Sequence, residues 1–158
     1  MKIDIQDLQS VAKLDRKSIL RCAEHVLSSA GEPDAELCLV FVNDNHIRKL
    51  NWKYRMSDSA TDVLAFPMRD ARGLSGAILG DVVISIETAK KEARKRKKDF
   101  QEELDLYIVH GILHLLGYDD EKPMARKKMR EKEREITAEL RGSCSSLHSE
   151  QTRKKRGR

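Results

Sequence analysis

The stretch from Asp105 to Asp120 constrains this chain more than any other, because it is almost continuously apolar and long enough to form a buried helix. Two histidines, His110 and His114, interrupt it four residues apart. On a helix this spacing places both imidazoles on one face, with Cβ atoms about 5–6 Å apart. Both rings can then bind one metal ion at about 2.0–2.1 Å. The stretch therefore predicts a central helix that carries part of a metal site.

The residues after the histidines predict a turn and a further ligand. Gly117 stands where the apolar pattern stops, and a glycine lets the chain leave the helix in a left-handed conformation. Asp119 and Asp120 follow, and such a turn would bring a carboxylate back to the same ion. The histidine pair alone is a weak signal, since a buried histidine with hydrogen-bonded nitrogens is an ordinary core residue. Two unpaired imidazoles in an apolar helix would be costly, so we interpret the group as a metal site.

Length and charge predict how the chain is divided. With 158 residues, 36% of them charged and 39% hydrophobic, the chain can bury about two thirds of its unfolded surface as one domain. We assign that domain to residues 1–140. The net charge of +5 falls in residues 141–158, which hold six basic residues and one acidic residue. This basic segment has too little apolar surface to bury, which predicts a disordered tail.

Several classes of protein are not expected. The first residues lack the apolar segment of a signal peptide, and no apolar run is long enough to cross a bilayer. We therefore expect a cytoplasmic protein with no membrane partner. The three cysteines, Cys22, Cys38 and Cys144, are far apart and form no Cys-x-x-Cys pair. A disulfide framework or a cysteine zinc site is accordingly not predicted.

Periodicity predicts strands and helices that do not strictly alternate. We expect strands at 2–6, 36–42, 62–66 and 81–86, and helices at 15–30, from 43 or 44 to 54, at 87–98, from 99 and from 123. A loop containing Gly73 and Gly76 follows the third strand. This pattern is typical of an α+β fold, here a single compact domain with a small mixed sheet packed against helices.

Three ordered motifs resemble those of a known family. The run His110-Gly111-x-Leu113-His114-Leu115-x-Gly117-Tyr118-Asp119 resembles the signature of the YbeY endoribonuclease family, the rRNA maturation factors. Residues 50–67 (Leu-Asn-x-x-Tyr-Arg-x-x-Asp-x-x-Thr-Asp-Val-Leu-Ala-Phe-Pro) are similar to its central motif, with Ala65 where a serine is commoner. Residues 79–85 (Leu-Gly-Asp-Val-Val-Ile-Ser) are similar to its following strand. The similarity extends from about residue 3 to residue 140.

The resemblance implies a function, a cofactor and partners. It implies a zinc-dependent endoribonuclease specific for single strands, acting in 16S rRNA 3′-end maturation and ribosome quality control. The implied partners are rRNA, the small ribosomal subunit and a ribosomal protein or GTPase assembly factor. The family's three metal ligands fall on His110, His114 and, where the family has a histidine, Asp120. Asp119 matches the family's own aspartate and is not the ligand position.

Asp120 changes the chemistry expected of the site. An aspartate binds zinc at about 2.0–2.2 Å, but its side chain is shorter than that of histidine, so the turn after Gly117 must come closer. Its negative charge leaves bound water less acidic than in a site of three histidines and favours harder ions such as Mn²⁺. We expect a retained but altered zinc site, which Mn²⁺ could also occupy.

Arg55 is the candidate for the residue that holds phosphate, because a guanidinium binds phosphate in bidentate fashion. An exposed residue at a helix end is the alternative interpretation. Asn51 and Asp62 could line the cleft, although Asp62 could equally turn the backbone. A metallopeptidase would carry a glutamate directly after the first histidine, where this chain has Gly111, which cannot take a proton.

A non-catalytic RNA- or ribosome-binding protein with a structural or lost metal is the second class considered. Basic residues at 90–98 and in the tail would attract phosphates, although such runs are also typical of solvated helix faces. Aromatic residues make up 4% of the chain, which leaves little material for a base-stacking surface. Base-specific recognition by the isolated protein is therefore not expected.

Overall fold

The computed structural model describes residues 1–69 and 76–155, with side chains up to position 142. Gly73 of the predicted loop lies outside the described residues. Within them the elements are, in order, β1 (Lys2–Asp7), α1 (Arg16–Ser29), β2 (Glu36–Val42), α2 (Asp44–Arg55), β3 (Val63–Pro67), β4 (Ile78–Ser85), α3 (Ile86–Arg96), α4 (Phe100–Leu115) and α5 (Pro123–Lys155). The predicted α+β class is confirmed.

The four described strands form one mixed sheet in the order β1-β2-β4-β3. β1, β2 and β4 are parallel, and β3 pairs antiparallel with β4 at the edge. The register of β2 and β4 shifts between Glu36, which pairs with Ile78, and Leu37, which pairs with Gly80. Gly80 has φ +141°, and a Cβ there would lie 2.1 Å from the carbonyl oxygen of Phe66. A side chain at this bulge would therefore push β3 away from β4.

The side chains of the sheet alternate between its two faces, and apolar side chains are buried on both. On one face, Leu39, Phe41 and Ile84 are fully buried in the core that includes α1, α4 and α5. On the other face, Ile47 of α2 packs in a smaller cluster with Leu64. Full burial of each such side chain contributes about 1.5–3 kcal/mol. α4 lies at the centre of the larger core, as its apolar sequence predicts.

Helix caps determine where α2 begins and ends. Asn43 is the N-cap, a position that asparagine favours, and its side chain accepts a hydrogen bond from the backbone N–H of His46 at 2.9 Å. Met56 ends the helix in the left-handed conformation, with φ 57°. The chain therefore turns directly after Arg55 and returns toward the edge of the sheet as β3.

Gly111 lets α4 lie close against the sheet. A Cβ at this position would be 2.3 Å from Cγ1 of Val82 and 3.1 Å from Cγ1 of Val63. Real Cβ atoms do not approach so closely, so any side chain here would force the helix away from β3 and β4. The close approach sets the position of the two neighbouring histidines relative to the edge strand.

α5 continues from the core into the basic C-terminal segment. It buries Met129 and Ile136 against the core, and its backbone is helical through Lys155. Residues 141–155 contain one glycine and no proline, so no residue type in this segment forces the helix to break. The division into a domain and a tail remains a prediction. Although α5 has 33 residues, no helix of the described chain is both long and apolar enough to span a membrane.

Candidate metal centre

The chain leaves α4 through a tight turn that returns it toward the histidines. Gly117 has φ +96°, and its N–H donates to the carbonyl of His114 at 3.1 Å. The N–H of Tyr118 donates to the carbonyl of Leu113 at 3.0 Å. These two bonds are the Schellman motif, which satisfies the last carbonyls of the helix. The predicted left-handed turn at Gly117 is confirmed.

His110, His114 and Asp120 converge at the end of this turn. The Nε2 atoms of the two histidines are 3.1 Å apart. Oδ2 of Asp120 is 3.6 Å from Nε2 of His114 and 3.8 Å from Nε2 of His110. Ligand atoms of a tetrahedral zinc ion are about 3.3 Å apart, so two nitrogens and one oxygen with these separations could hold one metal ion. That these three residues bind the ion remains a prediction.

The two neighbouring aspartates have different roles. Oδ1 of Asp119 accepts the backbone N–H of Glu121 at 3.0 Å, so this carboxylate stabilises the turn. The carbonyl oxygen of Asp120 accepts Nε–H of Arg126 at 3.0 Å, while its carboxylate faces the histidines. The turn after Gly117 thus brings the Asp120 carboxylate close to both histidines, although its side chain is shorter than that of a histidine.

Glu133 is a site residue that the sequence analysis missed. Its Oε1 accepts a hydrogen bond from Nδ1 of His110. Histidine ligands of metals usually donate their second N–H to a carboxylate, which fixes the tautomer and leaves the other nitrogen to bind the metal. The signal in the sequence was an acidic residue four positions after Met129 and three before Ile136, on the apolar face of α5.

The neighbours of the two histidines shift their pKa values in opposite directions. Burial lowers the pKa of His110, but the bond to Glu133 and the charge of Asp62 outweigh burial and raise it. Burial also lowers the pKa of His114, and the charges of His110 and Arg55 lower it further. The lowered pKa favours the neutral form of His114, whose lone pair can bind a metal ion, whereas the raised pKa makes His110 give up its proton to a metal ion less readily.

Arg55 lies at the edge of the site, where its charge reaches His114. It is the last residue of α2 and is exposed. Within the described part of the chain it has no carboxylate partner, so its guanidinium is available to phosphate. Asn51 does not line the cleft, because it is 94% buried and donates to the carbonyl of Ser59 at 2.9 Å. It holds the loop between Arg55 and β3.

Asp62 fits both interpretations of its role. Its Oδ1 accepts the N–H of Val63 at 2.8 Å and the hydroxyl of Thr61 at 3.3 Å, so it turns the backbone into β3. Its negative charge also contributes to the raised pKa values of His110 and Tyr107. The carboxylate is thus part of the electrostatic surroundings of the site.

The position of Gly111 excludes the peptidase arrangement. In that arrangement a glutamate follows the first histidine and acts as general base. Here a side chain at position 111 would point into Val82 of the sheet, so a glutamate does not fit. The packing of α4 against the sheet therefore leaves no room for the peptidase glutamate.

The fold and the site together define a class of protein: an α+β domain with a candidate metal centre at the end of its central helix. A family model described as Endoribonuclease YbeY matches residues 4–141. The chain therefore belongs to the YbeY endoribonuclease family.

Individual relatives agree with this assignment. The chain is 51% identical over 110 residues to the Endoribonuclease YbeY of Anaeromyxobacter dehalogenans, covering 70% of this chain and 56% of that protein. The Pelotomaculum thermopropionicum relative of the same name is 40% identical over 148 residues, or 89% of this chain and 97% of that protein. The chain thus spans just over half the length of the Anaeromyxobacter relative.

A solved structure has the same fold. The solution structure of TM1509 from Thermotoga maritima superposes with a TM-score of 0.65 at 28% identity, covering 94% of this chain and 95% of that one. The likeness over nearly the whole of both chains supports the fold described above.

Proposed function

We propose that this protein is a metal-dependent endoribonuclease that cleaves single-stranded RNA, with zinc as its ion and Mn²⁺ as a possible substitute. The observation that carries the proposal is the triangle of His110, His114 and Asp120, whose separations of 3.1–3.8 Å suit one ion. Membership of the endoribonuclease family supplies the reaction. The guanidinium of Arg55, which has no carboxylate partner among the described residues and whose charge reaches His114, is suited to a phosphodiester.

Each side chain has a definite task in this mechanism. His110, His114 and Asp120 would hold a divalent ion, which would supply Lewis acidity toward a phosphoryl oxygen and activate water. Glu133 keeps the proton of His110 on Nδ1, so that Nε2 faces the ion. Arg55 binds the phosphate and offsets the negative charge that develops on it during cleavage. The carboxylate of Asp120 reduces the net positive charge of the site.

The biological setting proposed for this activity is 16S rRNA 3′-end maturation and ribosome quality control in the cytoplasm. The proposed partners are rRNA, the small ribosomal subunit and a ribosomal protein or GTPase assembly factor. The support for this setting is the resemblance of the three sequence motifs to those of the rRNA maturation factors.

Metal content and RNA cleavage, measured together, test the proposal. We expect untagged protein purified without chelator to carry about one equivalent of zinc and to cleave single-stranded RNA. Asp120→Ala should lose the metal and the cleavage, whereas Asp120→His should keep both. Glu121→Ala is the matched control, since it removes an exposed carboxylate one residue after Asp120 that is not part of the triangle. Arg55→Ala should keep the metal but cleave about 100- to 1,000-fold more slowly.

Two results would contradict the proposal. Equal metal affinity in wild type and Asp120→Ala would remove Asp120 from the site. A folded protein that neither binds zinc nor cleaves RNA when zinc or Mn²⁺ is added would favour the non-catalytic RNA-binding alternative.

A further inference from the structure

The last turn of α2 exposes an unusual group of large side chains. Trp52 is 55% exposed, Tyr54 57% and Met56 77%. Trp52 and Met56, four positions apart, lie on one face of the helix, whereas Tyr54 projects about 160° from Trp52, toward Phe66 of β3. Residues 45–57 also contain four basic residues and no acidic residue. The surface is therefore both aromatic and cationic.

Arg55 lies between the two aromatic rings of this surface. Successive residues of an α-helix are rotated by about 100°, so Arg55 projects about 100° from Tyr54 and about 60° from Trp52, on the arc that separates them. The charge of Arg55 also reaches the candidate metal ligand His114. A phosphate held by Arg55 would accordingly have one ring on each side of it.

Tyr54 is held in place by two neighbours. Its ring packs edge-on against Phe66 of β3, with centroids 5.2 Å apart at an interplanar angle of 67°. Nζ of Lys53 lies 5.3 Å from the centroid of the same ring. A ring that is fixed before the ligand arrives loses little conformational entropy on binding.

We propose that Trp52 and Tyr54 stack on the nucleobases that flank the phosphate held by Arg55. The end of α2 then binds single-stranded RNA across the metal centre. This inference rests on the proposed function. Exposed rings beside cations bind single strands with little regard to sequence, because every base has a π-face. A protein partner fits less well, since interfaces between proteins are depleted in lysine, whereas Lys49 and Lys53 lie among these rings.

The low aromatic content of the chain does not argue against this surface. The sequence contains seven aromatic residues, and three of them, Trp52, Tyr54 and Phe66, lie at the end of α2 and on the adjoining strand. Composition predicts little material for stacking only if the rings are spread evenly. The fold concentrates them beside Arg55.

The tryptophan provides a direct test, because Trp52 is the single tryptophan of the chain. We expect an unstructured RNA oligonucleotide of adenylate and cytidylate, added in the presence of chelator to prevent cleavage, to quench its fluorescence. Trp52→Ala and Tyr54→Ala, followed by fluorescence anisotropy of labelled RNA, should each weaken binding roughly 5- to 100-fold. Trp52→Phe and Tyr54→Phe, which keep a ring, should retain most of the affinity.

Two controls separate stacking from charge and from loss of fold. Leu8→Ala removes an exposed apolar side chain, 53% accessible, just after the opposite edge strand, and should not alter RNA binding. An abasic oligonucleotide with the same phosphates should bind wild type and Trp52→Ala equally. Tyr54→Ala loses its contact with Phe66, so thermal melting of each variant is used to show that it is folded. If Tyr54→Ala is unfolded, Trp52→Ala alone tests the proposal.

The outcomes distinguish this inference from the proposed function. Quenching and ring-dependent binding in a protein that does not cleave RNA would support the inference and contradict the function. If the protein cleaves RNA but Trp52→Ala and Tyr54→Ala bind RNA as tightly as wild type, the inference is overturned and the proposed function is kept. The rings would then be assigned to a protein contact. Absence of any RNA binding would overturn both.

Discussion

At the scale of single residues, the two nitrogens of His110 have different partners, and this division organises the site. Nδ1 contacts Glu133 of α5, and Nε2 faces His114 and Asp120. Glu133 approaches from a helix 23 residues further along the chain. Because its carboxylate fixes which nitrogen carries the proton, it prepares the other nitrogen for a metal ion before the ion arrives.

Glu133→Gln should weaken metal binding about 10- to 100-fold. The glutamine can still accept the proton of Nδ1, but it no longer supplies the negative charge that makes the imidazole a better ligand. Zinc affinity measured by competition with a chromophoric chelator would show the change. Glu135→Gln is a matched control on the same helix, where the carboxylate is 56% exposed and distant from His110. Equal affinities in the two variants would remove Glu133 from the site.

At the scale of elements, the position of α4 against the sheet depends on Gly111. A glycine inside a helix usually costs about 1 kcal/mol relative to alanine, so Gly111→Ala would stabilise a helix that had room for the methyl group. Here the added Cβ would lie 2.3 Å from Cγ1 of Val82, and Val82 is fully buried. Overpacking of this kind costs about 1–3 kcal/mol, so the packing cost exceeds the gain in helix propensity.

Gly111→Ala should therefore lower the free energy of unfolding by about 1–2 kcal/mol, measured by urea denaturation. Gly142→Ala should be neutral or raise it by up to about 1 kcal/mol, because a Cβ at this helical glycine meets nothing within 4 Å. A second substitution, Val82→Ala, should recover part of the loss caused by Gly111→Ala, since it removes the clashing methyl group. Stabilisation by Gly111→Ala would show that α4 does not pack as described.

At the scale of the whole molecule, the packing of three helices encloses an acidic group. α1, α4 and α5 border a cleft of about 920 Å³ whose lining includes Cys22 and Asp105. Burial raises the pKa of Asp105 to about 6 from its ordinary 3.8, although the amide of Gln101, at 2.8 Å, partly opposes the shift. The assembly of the helices thus makes ionisation of this carboxyl unfavourable in the folded state.

The stability of the protein should accordingly depend on pH through Asp105. The folded-state pKa lies above the unfolded one, so the stabilising contribution is fully present below about pH 4 and is lost as the pH rises through about 6. Two pKa units correspond to about 3 kcal/mol, and partial exposure reduces the expected loss to about 1–2 kcal/mol. Urea denaturation of wild type and Asp105→Asn at several pH values would measure it. The two stabilities should diverge between about pH 4 and 6, and parallel curves would contradict the assignment.

Local patterns in the sequence predicted most of the elements and the part of the site that lies on one segment. The alternation in β1 predicted a strand, and the i, i+4 spacing of His110 and His114 predicted a shared helix face. Gly117 predicted the left-handed turn. These features depend on backbone geometry over a few residues, so a single segment contains all the information that they require.

The sequence by itself determined the α+β class, the central histidine helix and the turn after it, because periodicity and glycine chemistry act locally. The tertiary structure decided what meets at the site. Glu133 reaches His110 from α5, the charge of Arg55 reaches His114 from α2, and Gly111 sets how closely α4 approaches β4. These placements arise from packing between segments far apart in the chain, and side-chain packing is specified by the whole core at once and not by any one segment.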